Sequence, residues 1–127
     1  MENATTTIGK ISLYERLGGE TGLRKIVNDV LDKNLNNPLI GHHFQKIDMA
    51  RLKQLVFEFF SMGIGGPHQY TGRDMLAAHT GLNITEEDFL SGNDDVIQAL
   101  KENGIGAAEI NEVIGILNSM KGEVVGK

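Results

Sequence analysis

The sequence predicts a single all-α domain, and three observations carry that prediction. The chain has 127 residues, which suits one compact domain and is too short for two ordinary ones. Apolar residues recur at steps of three and four in four long segments, which glycine and proline separate. No alternating run of apolar and polar residues is long enough for a sheet. We therefore expect six or seven helices over residues 11–127, after a flexible polar tail at 1–10.

The first long helix is predicted to begin with Thr21 as its N-cap and to run to about Leu35. A short apolar turn over 11–19 comes before it. The stretch 36–38 ends it, because the residue before a proline avoids helical geometry. A short helical piece follows over 39–44.

The second long helix is expected over 49–63, with Asp48 as its N-cap. Its apolar residues form one broad stripe, made of Leu52, Leu55, Val56, Phe59, Phe60 and Met62. The glycine-rich stretch 63–67 then breaks the chain. A short helix is predicted at about 73–80.

The last two long helices follow Thr85, where a capping residue and three acids predict a helix start. The stretch Gly92–Asp95 is poor helix material and is expected to delay or interrupt this helix. The apolar pattern resumes at Val96 and ends at 103–104. One final helix is predicted over about 107–124.

Composition excludes several function classes. The net charge is −5 and the 12 Lys and Arg residues are scattered, which argues against a nucleic-acid surface. No apolar run approaches the ~20 residues that a membrane helix needs. The first residues lack the pattern of a signal peptide, so we expect a cytoplasmic protein. With no cysteine, the chain has no disulfide, zinc-thiolate site, iron–sulfur cluster or thiol nucleophile.

No metal-binding role is predicted for three of the four histidines. His42 and His43 are adjacent, so on a helix their side chains point ~100° apart and do not readily chelate one ion. His68 lies in a Gly/Pro loop and is predicted to be solvated. The zinc-binding patterns HExxH, CxxC and HxxxH do not occur.

His79 is the candidate ligand, because it closes the short helix that presents Met75 to the interior. A lone histidine in such a place is more often an ordinary core or surface residue, and that alternative stays open here. An all-α domain with one inward histidine and a wall of Phe, Leu, Val and Ile can also hold a flat apolar disc. Haem is such a disc, and it needs one axial imidazole.

Four motifs, taken together and in order, resemble a known family. They are Leu13-Tyr14-Glu15-Arg16-Leu17-Gly18-Gly19, Phe44 ahead of Asp48-Met49, Gly65-Gly66-Pro67 followed by Tyr70-Thr71-Gly72-Arg73, and Ala78-His79-Thr80-Gly81-Leu82. On these residues the chain is similar to the group 1 truncated haemoglobins from about Ser12 to Lys127. The resemblance implies a truncated globin fold, a two-over-two sandwich in which a B/E helix pair packs on a G/H pair around haem b.

The resemblance also implies roles for individual residues. His79 matches the axial iron ligand, Phe44 the phenylalanine that packs on the haem face, and Phe60 a residue proposed to gate an apolar ligand tunnel. Further positions that line the haem pocket are Leu52, Val56, Phe59, Met75, Ala78, Ile84, Phe89, Val96, Val113 and Leu117.

Three positions match those that usually hold the haem propionates. These are Tyr70, Arg73, and either Arg51 or Lys53. Charge-assisted bonds from such side chains to two carboxylates fit an otherwise acidic protein. His43 stands where the family usually has a phenylalanine, and it could reach the haem edge.

The sequence departs from the family where the gas ligand is held. Most members carry a tyrosine late in the B helix, where this chain has Leu31, and glutamine on the E helix, where it has Leu52 and Val56. Leu55 stands where some cyanobacterial members have a second axial histidine. The resemblance thus implies a distal pocket of these four residues, with no polar side chain. Gln54, the nearest polar candidate, is expected to point away from the iron.

These observations favour a non-catalytic haem protein that binds O₂, CO and NO reversibly, for oxygen binding and transport or for gas sensing. O₂ becomes partly anionic when it binds and gains from a hydrogen-bond donor, whereas CO gains little. Weak O₂ binding relative to CO and NO is therefore expected.

The alternative is a nitric-oxide dioxygenase or peroxidase-like enzyme that needs a reductase. A helical interaction module that has lost haem is a third possibility. We expect a monomer or weak dimer.

Overall fold

The structure, a computed structural model, describes residues 11–127, and the regular elements in that range are helices. Its α-helices are α1 (Leu13–Arg16), α2 (Gly19–Asn36), α3 (Met49–Gly63), α4 (Met75–His79), α5 (Glu86–Glu102), α6 (Ala107–Ser119) and α7 (Lys121–Val124), with a 3₁₀ turn at Gly41–Phe44. Within the described range, one isolated parallel β-bridge joins Ile84 to Val125. The prediction of an all-α fold is confirmed. The predicted tail, residues 1–10, lies outside the described residues.

Helix α2 begins two residues before its predicted N-cap, so the role given to Thr21 is wrong. Gly18 takes the N-cap position with a φ of 103°, a conformation that glycine adopts at little cost. Gly22 packs closely on the preceding turn, where an added Cβ would lie 2.2 Å from the carbonyl oxygen of Leu17. The chain therefore enters the helix through a sharp corner that only small residues allow.

Helices α3 and α4 are capped by aspartates that precede them. The Asp48 side chain accepts from the Arg51 N–H at 3.2 Å, and the predicted bounds of α3 are confirmed. The Asp74 side chain accepts from the Ala77 N–H at 2.7 Å, so α4 begins after Asp74 and is shorter than predicted.

Helix α5 is continuous, so the interruption expected at Gly92–Asp95 is wrong. Long-range contacts offset the poor local propensity of this stretch. The Asp95 carboxylate accepts from the side-chain amides of Asn34 and Asn37, at 2.8 and 3.0 Å. At its start, Thr85 and Asp88 form a reciprocal capping box.

The predicted final helix is divided into two. Helix α6 ends at Ser119, and Met120, with φ −99° and ψ 0°, separates it from α7. The break lets α7 turn and pack against α4.

The helices enclose one apolar core. Helix α2 packs on both α3 and α5, and α5 packs on α6. The buried cluster comprises Leu13, Leu17, Leu23, Ile26, Val27, Leu31, Phe57, Ile64, Leu100, Ile110 and Val113. Half-buried apolar residues surround it and border the cavity described below. Among the residues from 11 onwards, no helix is long and apolar enough to cross a membrane.

Candidate cofactor cavity

A cavity of about 640 Å³ lies between the helices. Its volume falls in the ~300–1,000 Å³ range of ligand pockets in proteins. With one exception, every residue predicted for the site lines it: Leu31, Phe44, Arg51, Leu52, Leu55, Val56, Phe59, Phe60, Tyr70, Arg73, Met75, Ala78, His79, Ile84, Phe89, Val96, Val113 and Leu117. Residues from most of the chain therefore converge on one space.

Lys53 is the exception, because it does not line the cavity. Its ammonium donates to Asn28 Oδ1 at 2.8 Å and to Asp32 Oδ1 at 2.7 Å, which ties α3 to α2 away from the cavity. Arg51, two residues earlier on the same helix, lies along the cavity wall. Of the two predicted alternatives, Arg51 lines the cavity and Lys53 does not.

His79 lies at the last position of α4 with its ring fixed by its own helix. Its Nδ1 is 2.8 Å from the carbonyl oxygen of Met75. Because a carbonyl oxygen can only accept, Nδ1 carries the proton in this contact. The lone pair is then on Nε2, the other ring nitrogen, and the tautomer is the one that can coordinate a metal ion.

One side of the cavity is an apolar wall built from α2 and α3. Its members are Val27, Val30, Leu31, Leu52, Leu55, Val56, Phe59 and Phe60. Polar lining residues of these two helices, within the described range, lie only towards their ends, at Asn34 and Arg51. The side-chain amide of Asn34 donates to the Asp95 carboxylate.

Gln54 precedes the wall residue Leu55 on α3, and its contacts hold its side chain away from the wall. Its Oε1 accepts from Arg24 Nη1 at 2.8 Å, and its Nε2 donates to Glu58 Oε2 at 3.0 Å. Both ends of the amide are thus engaged by neighbours on the outer surface of the helix pair. The wall has no hydrogen-bond donor for a small ligand.

Positive charge lines the cavity at its solvent-accessible edge. Arg51 and Arg73 line the cavity and are exposed, and Tyr70 lies with them. The Tyr70 ring packs edge to face on Phe59, with 5.2 Å between centroids, and its hydroxyl donates to the Arg73 carbonyl oxygen. Burial raises the pKa of the Tyr70 hydroxyl. Two guanidinium groups at this edge suit a ligand that carries carboxylates.

His43 lines the cavity beside an acidic residue that sequence reasoning did not single out. Its Nε2 is buried without a hydrogen-bond partner and lies 3.6 Å from Asp88 Oδ2. The pKa of Asp88 is lowered, chiefly because the Thr85 backbone N–H donates to it, so the carboxylate stays charged. The sequence gives no local signal for this contact, since the two residues are 45 positions apart (88 − 43).

His68 is packed, and the prediction that it is solvated is wrong. Its Nδ1 lies 2.7 Å from the Oγ of the fully buried Ser61, and its ring meets Phe57 edge to face at 4.7 Å between centroids. The cluster lies outside the cavity. It fixes the loop after α3, where an added Cβ on Gly66 would lie 2.2 Å from Ser61 Oγ.

Comparisons with known proteins agree on one family. Residues 12–125 match the family described as bacterial-like globin. The group 1 truncated haemoglobin of Tetrahymena pyriformis is 31% identical over 116 residues, which are 91% of this chain and 96% of that protein. The group 1 truncated haemoglobin GlbN of Mycolicibacterium paratuberculosis is 31% identical over 113 residues, covering 89% and 83% of the two chains.

Solved structures give the same result. The crystal structure of the Tetrahymena pyriformis protein in its Fe(III) form superposes with a TM-score of 0.88 at 31% identity, covering 92% of this chain and all of that one. The 2/2 haemoglobin of Synechococcus sp. PCC 7002, crystallised in the cyanomet state with covalently attached haem, gives a TM-score of 0.85 at 28% identity, with coverage of 92% and 100%.

Proposed function

Because the chain belongs to the bacterial-like globin family, and within it to the group 1 truncated haemoglobins, we propose that its cavity holds haem b and binds diatomic gases reversibly. In this proposal His79 would hold the haem iron and the apolar wall would face the bound gas. Membership of the family implies haem and oxygen binding. The choice among O₂, CO and NO, and the consequences of the wall, are our proposal.

The residues of the cavity fit a haem group. Its aliphatic and aromatic lining suits the apolar macrocycle, and Phe44, which lines the cavity, would pack against that macrocycle. Arg51 and Arg73 at the solvent-accessible edge suit the two propionates, and Tyr70, whose hydroxyl donates to the Arg73 carbonyl oxygen, would help to fix that edge. When bound, haem supplies the iron coordination position at which a diatomic gas binds.

His79 would bind the iron through Nε2. The Nδ1–H bond to the Met75 carbonyl holds the ring in one orientation and keeps the lone pair on the ligating nitrogen. That bond also makes the imidazole a better electron donor, because it stabilises positive charge on the ring. The short helix α4 therefore ends on a histidine whose ring orientation is fixed by its own backbone.

The single observation that carries the gas preference is the apolar wall. A hydrogen bond to a charged acceptor contributes ~1.5–3 kcal/mol net, or roughly tenfold to 150-fold in affinity. O₂ loses this contribution here, whereas CO has little to lose. The wall thus supports transient gas binding or sensing and weighs against a high-affinity O₂ store.

The same wall argues against the enzymatic alternative. Nitric-oxide dioxygenation requires the protein to retain O₂ until NO arrives, and peroxidase chemistry requires a general acid or base near the reacting oxygen. Neither a donor nor an acid is placed along the wall. Mixing the oxygenated protein with NO in the presence of a reductant should give slow nitrate formation without sustained turnover; rapid turnover would favour the enzyme.

A direct test of the proposed function is the ratio of O₂ to CO affinity in the reduced, haem-loaded protein. We expect a ratio that strongly favours CO, with fast O₂ release in stopped-flow displacement. A protein that takes up no haem, or that releases O₂ as slowly as a donor-containing globin, would contradict the proposal.

A further inference from the structure

The segment Val124–Lys127, hereafter the strap, runs beside the loop that follows His79. The Gly81 N–H donates to the Lys127 carbonyl oxygen at 2.9 Å. The Gly126 N–H donates to the Ile84 carbonyl oxygen at 2.8 Å, and Ile84 pairs with Val125 in the parallel bridge. The strap is therefore hydrogen-bonded to both ends of the stretch 81–84.

Helix α4 has little support of its own. It has five residues, none of them fully buried, and helices of that length are not stable without tertiary contacts. Among the helices of the described range, the one that packs substantially on α4 is α7, which leads directly into the strap. Val124 is buried and also lines the cavity, so the strap is anchored in the site itself.

We propose that the strap positions His79, by holding the backbone that follows the histidine in place. This inference rests on the proposed function, in which His79 ligates haem. Loosening the strap should let α4 and its histidine shift relative to the cavity, so that the iron–histidine bond becomes weaker and more heterogeneous. Gly126 is then a positioning residue, which acts through His79 and touches neither the haem nor the gas.

The conformation of Gly126 offers a way to loosen the strap. Its φ is +76°, and an added Cβ would meet no atom within 4 Å. Gly126→Ala is therefore strained only through the backbone, since non-glycine residues avoid positive φ. The chain can relieve this strain by breaking the strap's hydrogen bonds to Ile84 and Gly81.

Gly104 supplies a matched control. It has the same φ of +76°, an added Cβ there would also meet nothing within 4 Å, and its N–H also donates to a backbone carbonyl, that of Lys101. It lies in the turn between α5 and α6 and does not line the cavity. Gly104→Ala should carry the same backbone strain without disturbing His79.

The experiment compares wild type, Gly126→Ala and Gly104→Ala as haem-loaded ferrous proteins. Resonance Raman spectroscopy measures the position and width of the iron–histidine stretching band, transfer to an excess of a haem-scavenging apoprotein measures haem loss, and urea unfolding of the haem-free proteins measures stability. We expect both variants to lose similar stability. Only Gly126→Ala should shift or broaden the band and lose haem about five-fold faster, equivalent to about 1 kcal/mol.

The strap proposal is overturned if Gly126→Ala keeps the wild-type band and haem-loss rate, or if Gly104→Ala changes them equally. Gly126→Pro, which removes the N–H and cannot adopt a positive φ, provides a stronger second variant with the same expectation. A wild-type protein without an iron–histidine band would instead refute the ligand assignment on which the inference rests.

Discussion

Replacing Leu31 with tyrosine should slow O₂ release much more than CO release. Leu31 is 5% exposed and lies in the apolar wall, beside the space where the gas would bind. A phenol there can donate to O₂, which is polarised on binding. The bond contributes ~1.5–3 kcal/mol, so O₂ release should slow by roughly ten-fold or more. CO gains little, and its release should change by less than about three-fold on the same scale.

Stopped-flow mixing of the oxygenated protein with CO, and of the CO form with NO, gives the two release rates. Leu31→Phe is the matched control, because it adds the ring without the hydroxyl. If Leu31→Phe slows O₂ release as much as Leu31→Tyr, the effect is steric and the hydrogen-bond argument fails. If wild type already releases O₂ slowly and Leu31→Tyr does not change the rate, the apolar wall contains a donor and our gas preference is wrong.

Three further predictions follow from the same contacts. The reduced protein without added gas should be five-coordinate, since Leu31, Leu52, Leu55 and Val56 offer no ligand; a low-spin six-coordinate spectrum would contradict this and implicate His43. Arg51→Gln should speed haem loss about two- to five-fold, from the ~0.5–1 kcal/mol of an exposed charged pair, whereas Lys53→Gln on the same helix should leave haem loss at the wild-type rate. Because the pKa of Asp88 is lower in the folded chain, its contribution to stability is present above the ordinary carboxyl pKa of about 4 and is lost as the pH falls through the folded value. Urea midpoints measured from pH 6 to pH 3 should therefore fall less steeply for Asp88→Asn than for wild type, and equal slopes would refute the assignment.

Local signals predicted most of the helix bounds. Asp48 caps the start of α3 and Gly63 is its last residue, so residues at the ends of the helix itself mark both bounds. The same holds for Thr85 at the start of α5. At Gly18 the local signal favours the end of a turn, yet glycine with a positive φ can also begin a helix, as it does here.

Tertiary contacts that local patterns do not encode account for the errors at α5 and His68. The continuity of α5 depends on Asp95 meeting Asn34, and His68 is packed because Ser61 and Phe57 meet it after the chain has turned. Neither contact can be predicted from the helix propensities of the neighbouring residues. The position of Lys53 outside the cavity lining likewise depends on its bond to Asp32, a partner on another helix.

The predicted cavity residues were found through a resemblance and not through spacing. Periodicity identified which residues face inward, yet an inward residue can belong to a packed core or to a cavity wall. The structure separates these cases. Phe57 is fully buried in the core, whereas its neighbours Phe59 and Phe60 are only partly buried and line the cavity.

The central claim is that His79 holds haem in this cavity, and haem titration of the apoprotein tests it most directly. Wild type should bind one haem per chain and, once reduced, give a five-coordinate spectrum with an iron–histidine band. His79→Gly should lose that band and bind haem more weakly, and added imidazole should restore it by entering the vacated space. A His79→Gly protein that keeps the wild-type spectrum and haem affinity without imidazole would show that another residue is the ligand.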